Sequence, residues 1–389
     1  MTTDSGNQSA SALVQPVPFE APSEGPRRFF GHPQGLAYLT ATEAWAAFAL
    51  YGTLSLLVLY MVSHLLLPTN AAAVAGLQGL TSFLEVLFGQ LTTVALASLI
   101  FGLFAGLICF TPLLGGLLAD RWLGQRLTVT VGAVLMIAGY ALMVLPQTFL
   151  PALFLLILGS GCITGNIKAQ LSGLYTQTDS RRPSGFAVGL IGINAGAFLG
   201  PMVCGTIGEL YGWALGFGAA GIGMASGLVV YLAGSRHFPK QERGKASVSM
   251  APAAPRASAD RTLAALGIIM LNVFYYGAYN QTFNMFPLWV RGMVDRQILG
   301  FEIPVTWFLA ADALFAMVAT IIIILLWQHQ ARHRSEPHDL SKLMIGFALM
   351  TCAFSTLVAA EKFSDENQVS AGWCVVFFFF TATAAPFIW

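Results

Sequence analysis

The stretch Gly115–Arg126, GGLLADRWLGQR, sets three charged residues between two long apolar runs. The run before it covers 92–119 and the run after it 125–146, and each is long enough to cross about 30 Å of hydrocarbon as a helix. The stretch reads as a tight turn between two membrane spans. Its glycines permit the reversal, and Asp120 can cap a helix N-terminus or pair with Arg121 or Arg126. A solvated turn carrying inside-facing cations is the alternative.

Outward from this turn the same reading predicts ten spans: 36–64, 92–119, 125–146, 150–174, 185–206, 212–233, 263–290, 304–328, 340–360 and 370–389. The fold class is an all-α polytopic membrane protein. The alternating strands of a membrane barrel are absent from the pattern. Composition agrees: of 389 residues 56% are apolar and only 10% charged, with 29 Phe and 40 Gly. Mean hydropathy is +0.70. A soluble fold of this length lacks the polar cover for so much apolar surface. Net charge is +1, which leaves no basic footprint for nucleic acid.

Charge placement orients the spans. With the N-terminus in the cytoplasm, inside segments and span ends hold fifteen of the nineteen Lys and Arg; Arg291, Arg296 and Lys362 lie outside, and Lys168 lies within a span. Residues 1–34 read as a disordered cytoplasmic arm without a cleaved signal, 35–233 as a six-helix bundle, 234–262 as a polar linker and 263–389 as four further helices. Ala71–Leu91 repeats apolar residues at helical spacing and reads as an outer-face interfacial helix. The five cysteines each sit in apolar sequence, so neither a disulfide framework nor a metal is expected. No nucleophile–base constellation, GxxxxGK(S/T) loop or HExxH is present, so no enzyme activity, cofactor or ATP-driven pumping is expected.

Gly115–Arg126 is similar to the signature loop of the major facilitator superfamily. Longer stretches resemble the proton-dependent oligopeptide transporter (POT/PTR) family: Thr42–Gly52 (TEAWAAFALYG), Phe110–Met143, Arg181–Pro201 (RRPSGFAVGLIGINAGAFLGP), Gly208–Met224, Tyr279–Phe286 (YNQTFNMF) and Val294–Phe308. The resemblance runs from about Gly35 to the end. It implies two six-helix bundles, alternating access, and a central cavity for di- and tripeptides with proton symport in a monomer. It also points to a bacterial inner membrane. Twelve helices are the family's number, so the resemblance implies a chain truncated after Trp389.

Departures from the family pattern cluster in the cavity. In the first span, E-x-x-E-R-F-x-Y-Y-G is matched by Glu43, Phe48, Tyr51 and Gly52, but Ala46, Ala47 and Leu50 replace an acid, the Arg and a Tyr. In the fourth span Thr164, Gly165 and Asn166 stand at Lys-Pro-Asn. In the fifth, Gly189 and Leu190 replace Phe-Tyr, whereas Asn194 and Gly196 are kept. Asn280 replaces a glutamate before Gln281 in the seventh, and Ala384 falls near the glutamate expected in the tenth. The family pairs that Arg with the seventh-span glutamate. Losing one member of a buried pair costs roughly 3–5 kcal/mol, whereas losing both can be neutral.

Three charges remain well inside spans: Glu43, Lys168 and Asp312. Each costs roughly 2.5–3.5 kcal/mol at a helix centre, so each should face a cavity or a partner. Lys168 lies one helical turn beyond Thr164, and Asp312 stands where the family has an Asn that helps hold the substrate's amino terminus. One reading is a dipolar clamp: Lys168 faces the substrate carboxylate, Asp312 its ammonium, and Glu43 carries the proton. Tyr51, Thr164, Asn166, Asn194, Asn280 and Gln281 would complete the site, with Asp120, Arg121 and Arg126 as the gating loop. The opposed reading is a static Glu43–Lys168 pair with Asp312 snorkelling to the span's edge. Tyr275, Tyr276, Tyr279 and Trp307 either line side-chain pockets or pack. The function classes are therefore a secondary transporter, with proton coupling intact or weakened, or a non-transporting, decayed or truncated paralogue or membrane sensor.

Overall fold

The computed structural model describes residues 29, 31–239, 259–298, 300–332, 337–364 and 368–388. The expected arm and most of the expected linker lie outside the described residues.

Helix α1 covers Gln34–Tyr60 and runs on through a π-helical turn, Met61–Leu65. Two short helices follow, α2 (Pro68–Ala71) and α3 (Leu77–Phe88). Next come α4 (Thr93–Leu118), α5 (Gln125–Met143), α6 (Phe149–Ser172) and α7 (Arg182–Gly200). The span of α7 continues through a π-helical turn, Pro201–Gly205, into α8 (Thr206–Tyr211), and α9 is Trp213–Gly234. The remaining helices are α10 (Ala259–Asn280), α11 (Met285–Met293), α12 (Val305–Arg332), α13 (Asp339–Lys362) and α14 (Gly372–Ile388).

Eight helical segments among the described residues are long and apolar enough to cross a bilayer. They match the expected spans except the seventh and tenth. The tenth is α14, of 17 residues. The seventh is not one helix. It breaks at Gln281–Asn284, where polar side chains bond locally to the backbone and to one another. The Thr282 hydroxyl donates to Tyr279 O at 2.5 Å, and Asn284 Nδ2 donates to Gln281 Oε1 at 3.2 Å. The Gln281 carbonyl accepts from the N–H groups of both Met285 and Phe286, restarting the helix as α11.

In the N-terminal half α1 packs against α7 and α9, while α6 packs against α4 and α5. In the C-terminal half α14 packs against α12 and α13. The halves meet where α7 and its π-helical turn lie along α12, and where α1 touches α11 and α12. At the far end of α1, Tyr60 gathers the rings of Phe149, Trp213 and Phe217, pinning α6 and α9 to it. Outward faces are apolar: Leu113, Ile222 and Phe274 are each about 70% exposed. That is the inverse of a soluble surface and fits contact with lipid. α3 buries Leu77 and Leu84 but exposes Phe83, Val86, Leu87 and Phe88, in keeping with a helix lying in an interface.

The turn 119–126 differs from expectation. Among the described residues Asp120 pairs with neither Arg121 nor Arg126 and caps no helix; Asp120 and Arg121 are exposed. Gly124, at φ 76°, makes the reversal instead. Arg126 donates to the carbonyls of Phe238 and Pro239, tying the start of α5 to the chain leaving α9. Two carbonyls at a chain exit offer a guanidinium better-placed acceptors than an exposed carboxylate held in a π-helical turn. In the loop after α6, Arg181 hydrogen-bonds and pairs with Asp179 at 3.0 Å, holding that carboxyl below its ordinary range.

Candidate functional site

The N-terminal wall is formed by α1, α6 and α7. Glu43 is buried, at 8% exposure, nine residues into α1. Lys168, near the end of α6, is exposed, as is Thr164 one turn before it. The Lys168 charge acts on the Glu43 carboxylate, yet no hydrogen bond or ion pair within 4 Å joins them. A static contact pair is therefore not what the structure holds. Gly189 packs closely beside the acid: a Cβ there would stand 3.1 Å from Leu171 Cδ1 and 3.4 Å from Glu43 Oε2.

Two of the remaining N-terminal candidates bond within their own helices. Thr164 Oγ1 donates to Ser160 O at 3.0 Å, and half-exposed Asn194 donates to Leu190 O at 3.1 Å. Asn166 is buried and gives its amide N–H groups to Gly115 O and Cys162 O, at 3.2 and 2.9 Å. It serves as a cross-link between α6 and α4. Asn166→Ala is expected to cost about 1 kcal/mol, and a fall of a few degrees in melting temperature in detergent checks it.

The opposite wall is formed by α10, α12 and α14. Asp312 is buried, at 4% exposure, and does not snorkel. Its carboxylate accepts from the Tyr279 hydroxyl at 2.8 Å and from Thr381 Oγ1 at 3.2 Å. Tyr51 of α1 lies near enough across the interface for the Asp312 charge to act on it, and its ring meets Phe283 at 5.8 Å. Asn280 donates to Tyr276 O at 2.8 Å, and Gln281 donates to Gly277 O at 3.4 Å. Buried Asn284 keeps an unbonded Oδ1 beside them.

Sequence reasoning left Tyr279 and Trp307 open. The first bonds the acid; the second instead donates its indole N–H to Thr206 Oγ1. Thr381 was missed. Its signal was a hydroxyl within FFFFTATAAPF, three residues before Ala384 on the same helix face. Ala384 itself is buried against Tyr275 and Met350.

Glu43 and Tyr51 are eight residues apart on α1, roughly 12 Å. The Lys168 charge acts on Glu43, and the charge of Asp312, with its two hydroxyl donors, acts on Tyr51. No group of three or more metal-ligating side chains occurs among the described residues.

Comparison with known proteins bears on this geometry. The profile of the POT family matches residues 126–258 and 255–387. The peptide transporter YePEPT of Yersinia enterocolitica is 28% identical over 427 residues, covering 90% of this chain and 79% of that protein. A di-/tripeptide transporter of Lactococcus lactis subsp. cremoris is 36% identical over 218 residues, 55% of this chain and 40% of that one. Among solved structures, the peptide transporter POT in complex with sulfate is similar with a TM-score of 0.73 at 24% identity, covering 93% of this chain and 81% of that chain. A POT family transporter in complex with 5-aminolevulinic acid gives 0.70 at 22%, covering 93% and 83%. The matched relatives are multi-pass transporters. The chain belongs to the POT family.

Proposed function

We propose that this protein is a secondary active transporter of di- and tripeptides or similar zwitterions, working by alternating access with proton symport. The carrying observation is the opposition of Asp312, held by Tyr279 and Thr381, to Lys168 beside Glu43. A peptide ammonium supplies the counter-charge that Asp312 lacks among its bonded partners. The peptide carboxylate goes to Lys168, which is exposed and not in contact with its acid. Glu43 then loses the field of its cation and takes a proton, since a buried unpaired carboxylate is costly. The names of the peptide-transporting relatives support the substrate class. The six N-terminal spans and the four C-terminal ones would move as two units of a monomer, in a bacterial inner membrane with a cytoplasmic N-terminus.

Saturable uptake of labelled dipeptide into liposomes, competed by unlabelled di- and tripeptides but not by free amino acids, tests the substrate class. Binding without uptake would favour a sensor. Glu43→Gln is expected to abolish pH-driven uptake while leaving peptide exchange at equal pH intact. Proton-driven accumulation unchanged in that variant removes Glu43 from the coupling role.

A further inference from the structure

Where the halves meet, the contact is organised by one carboxylate outside the cavity. Glu209 of α8 accepts from the backbone N–H groups of Val305 and Thr306 at 3.0 and 2.9 Å, and from the Thr306 hydroxyl at 2.9 Å. These N–H groups belong to the first turn of α12, where no intrahelical partner exists and the helix dipole favours an anion. Pro304, just before α12, has no side-chain acceptor, so the cap comes from the other half of the molecule. One turn earlier Thr206 Oγ1 accepts from the Trp307 indole at 2.7 Å. Close approach is built in at Gly205, where a Cβ would lie 2.2 Å from Thr306 Oγ1 and 2.4 Å from its Cβ. Glu209 lies three residues before Gly212, at the end of its helix. Asp312 lies seven residues into α12, roughly 10 Å from the cap.

We propose that Glu209 is a positioning residue of the transport cycle: a carboxylate latch that holds the α12 end of the molecule closed and sets the height of Asp312 against α1. This rests on the alternating-access reading. Carboxylate and helix end are both well solvated when parted, so the latch is reversible, unlike an apolar seal.

The test is a distance measurement on the full chain in nanodiscs. Cys109 and Cys352, the two exposed cysteines, are changed to serine, and spin labels are placed by Leu145→Cys and Phe363→Cys, both exposed and at the α12 N-terminal end. The starting protein is expected to give one short distance. Glu209→Gln should raise a longer component at least about tenfold, the worth of a charge-assisted hydrogen-bond set. Gly205→Ala, which wedges the same contact sterically, should raise the same component, and Thr306→Val, lacking one bond, should raise it less. An unmoved distance in the variants that fold, whether or not their melting temperature falls, overturns the latch and leaves a static cap. Moved distances in a protein that carries no peptide uphold the latch and count against the transport reading. Normal peptide uptake with unmoved distances counts against the latch alone.

Discussion

Asp312→Ala is expected to lower di- and tripeptide affinity by roughly two to three and a half orders of magnitude. The size follows from removing one partner of a buried charge pair, about 3–5 kcal/mol, at about 1.4 kcal/mol per decade. Alanine also strands the hydroxyls of Tyr279 and Thr381, so some loss of stability is expected with it. Asp312→Asn separates the two effects. It keeps an acceptor for one hydroxyl, faces the other with an amide donor, and removes the charge without opening a cavity. Equal loss of binding by both variants, with a melting temperature near normal for the asparagine, assigns the effect to the peptide ammonium. Retained binding in Asp312→Asn removes charge recognition from this wall. Calorimetry in detergent reads both quantities.

Gly196→Leu should prevent correct assembly. α7 crosses α1 so closely at this point that a Cβ on Gly196 would lie 2.0 Å from Ala44 O, 2.8 Å from Phe48 N and 2.9 Å from Ala47 Cβ. The first two are backbone atoms, which cannot rotate away. Without a hydrophobic drive between helices in lipid, such contacts carry much of the association energy. Even Gly196→Ala is expected to cost roughly 3 kcal/mol, at the upper end of ordinary overpacking. Gly102→Ala on α4 is the matched control: nothing lies within 4 Å of its added carbon, so it should be neutral or slightly stabilising. Gel filtration and thermal unfolding of the three variants decide it; a normal melting temperature for Gly196→Ala contradicts the packing argument.

Most of the fold was legible because lipid demands long apolar helices, and the chain shows them with cations on one side. The break in the seventh span was written as NQTFN, residues 280–284, but hydropathy averages over it. The turn at Asp120 misled, because an acid just ahead of two arginines suggests pairing, while Arg126 found backbone carbonyls more than a hundred residues away. The site was legible where charge in a span is costly: Glu43, Lys168 and Asp312 stood out by that cost alone. Thr381 and Glu209 did not. One is a hydroxyl at the end of a run of phenylalanines, and the other sits at a span end where acids are ordinary. Their roles come from helices 69 and about 97 residues distant in sequence.

The measurement that bears most directly on the account is substrate-linked proton flux. The purified chain is reconstituted in liposomes holding a pH-sensitive dye, and a mixed dipeptide library is added under an inward proton gradient. Acidification of the lumen above that of empty liposomes, lost in Glu43→Gln and in Asp312→Ala, is the predicted result. Labelled dipeptide entering with no acidification would contradict proton symport, and neither flux nor uptake would contradict the transport assignment itself.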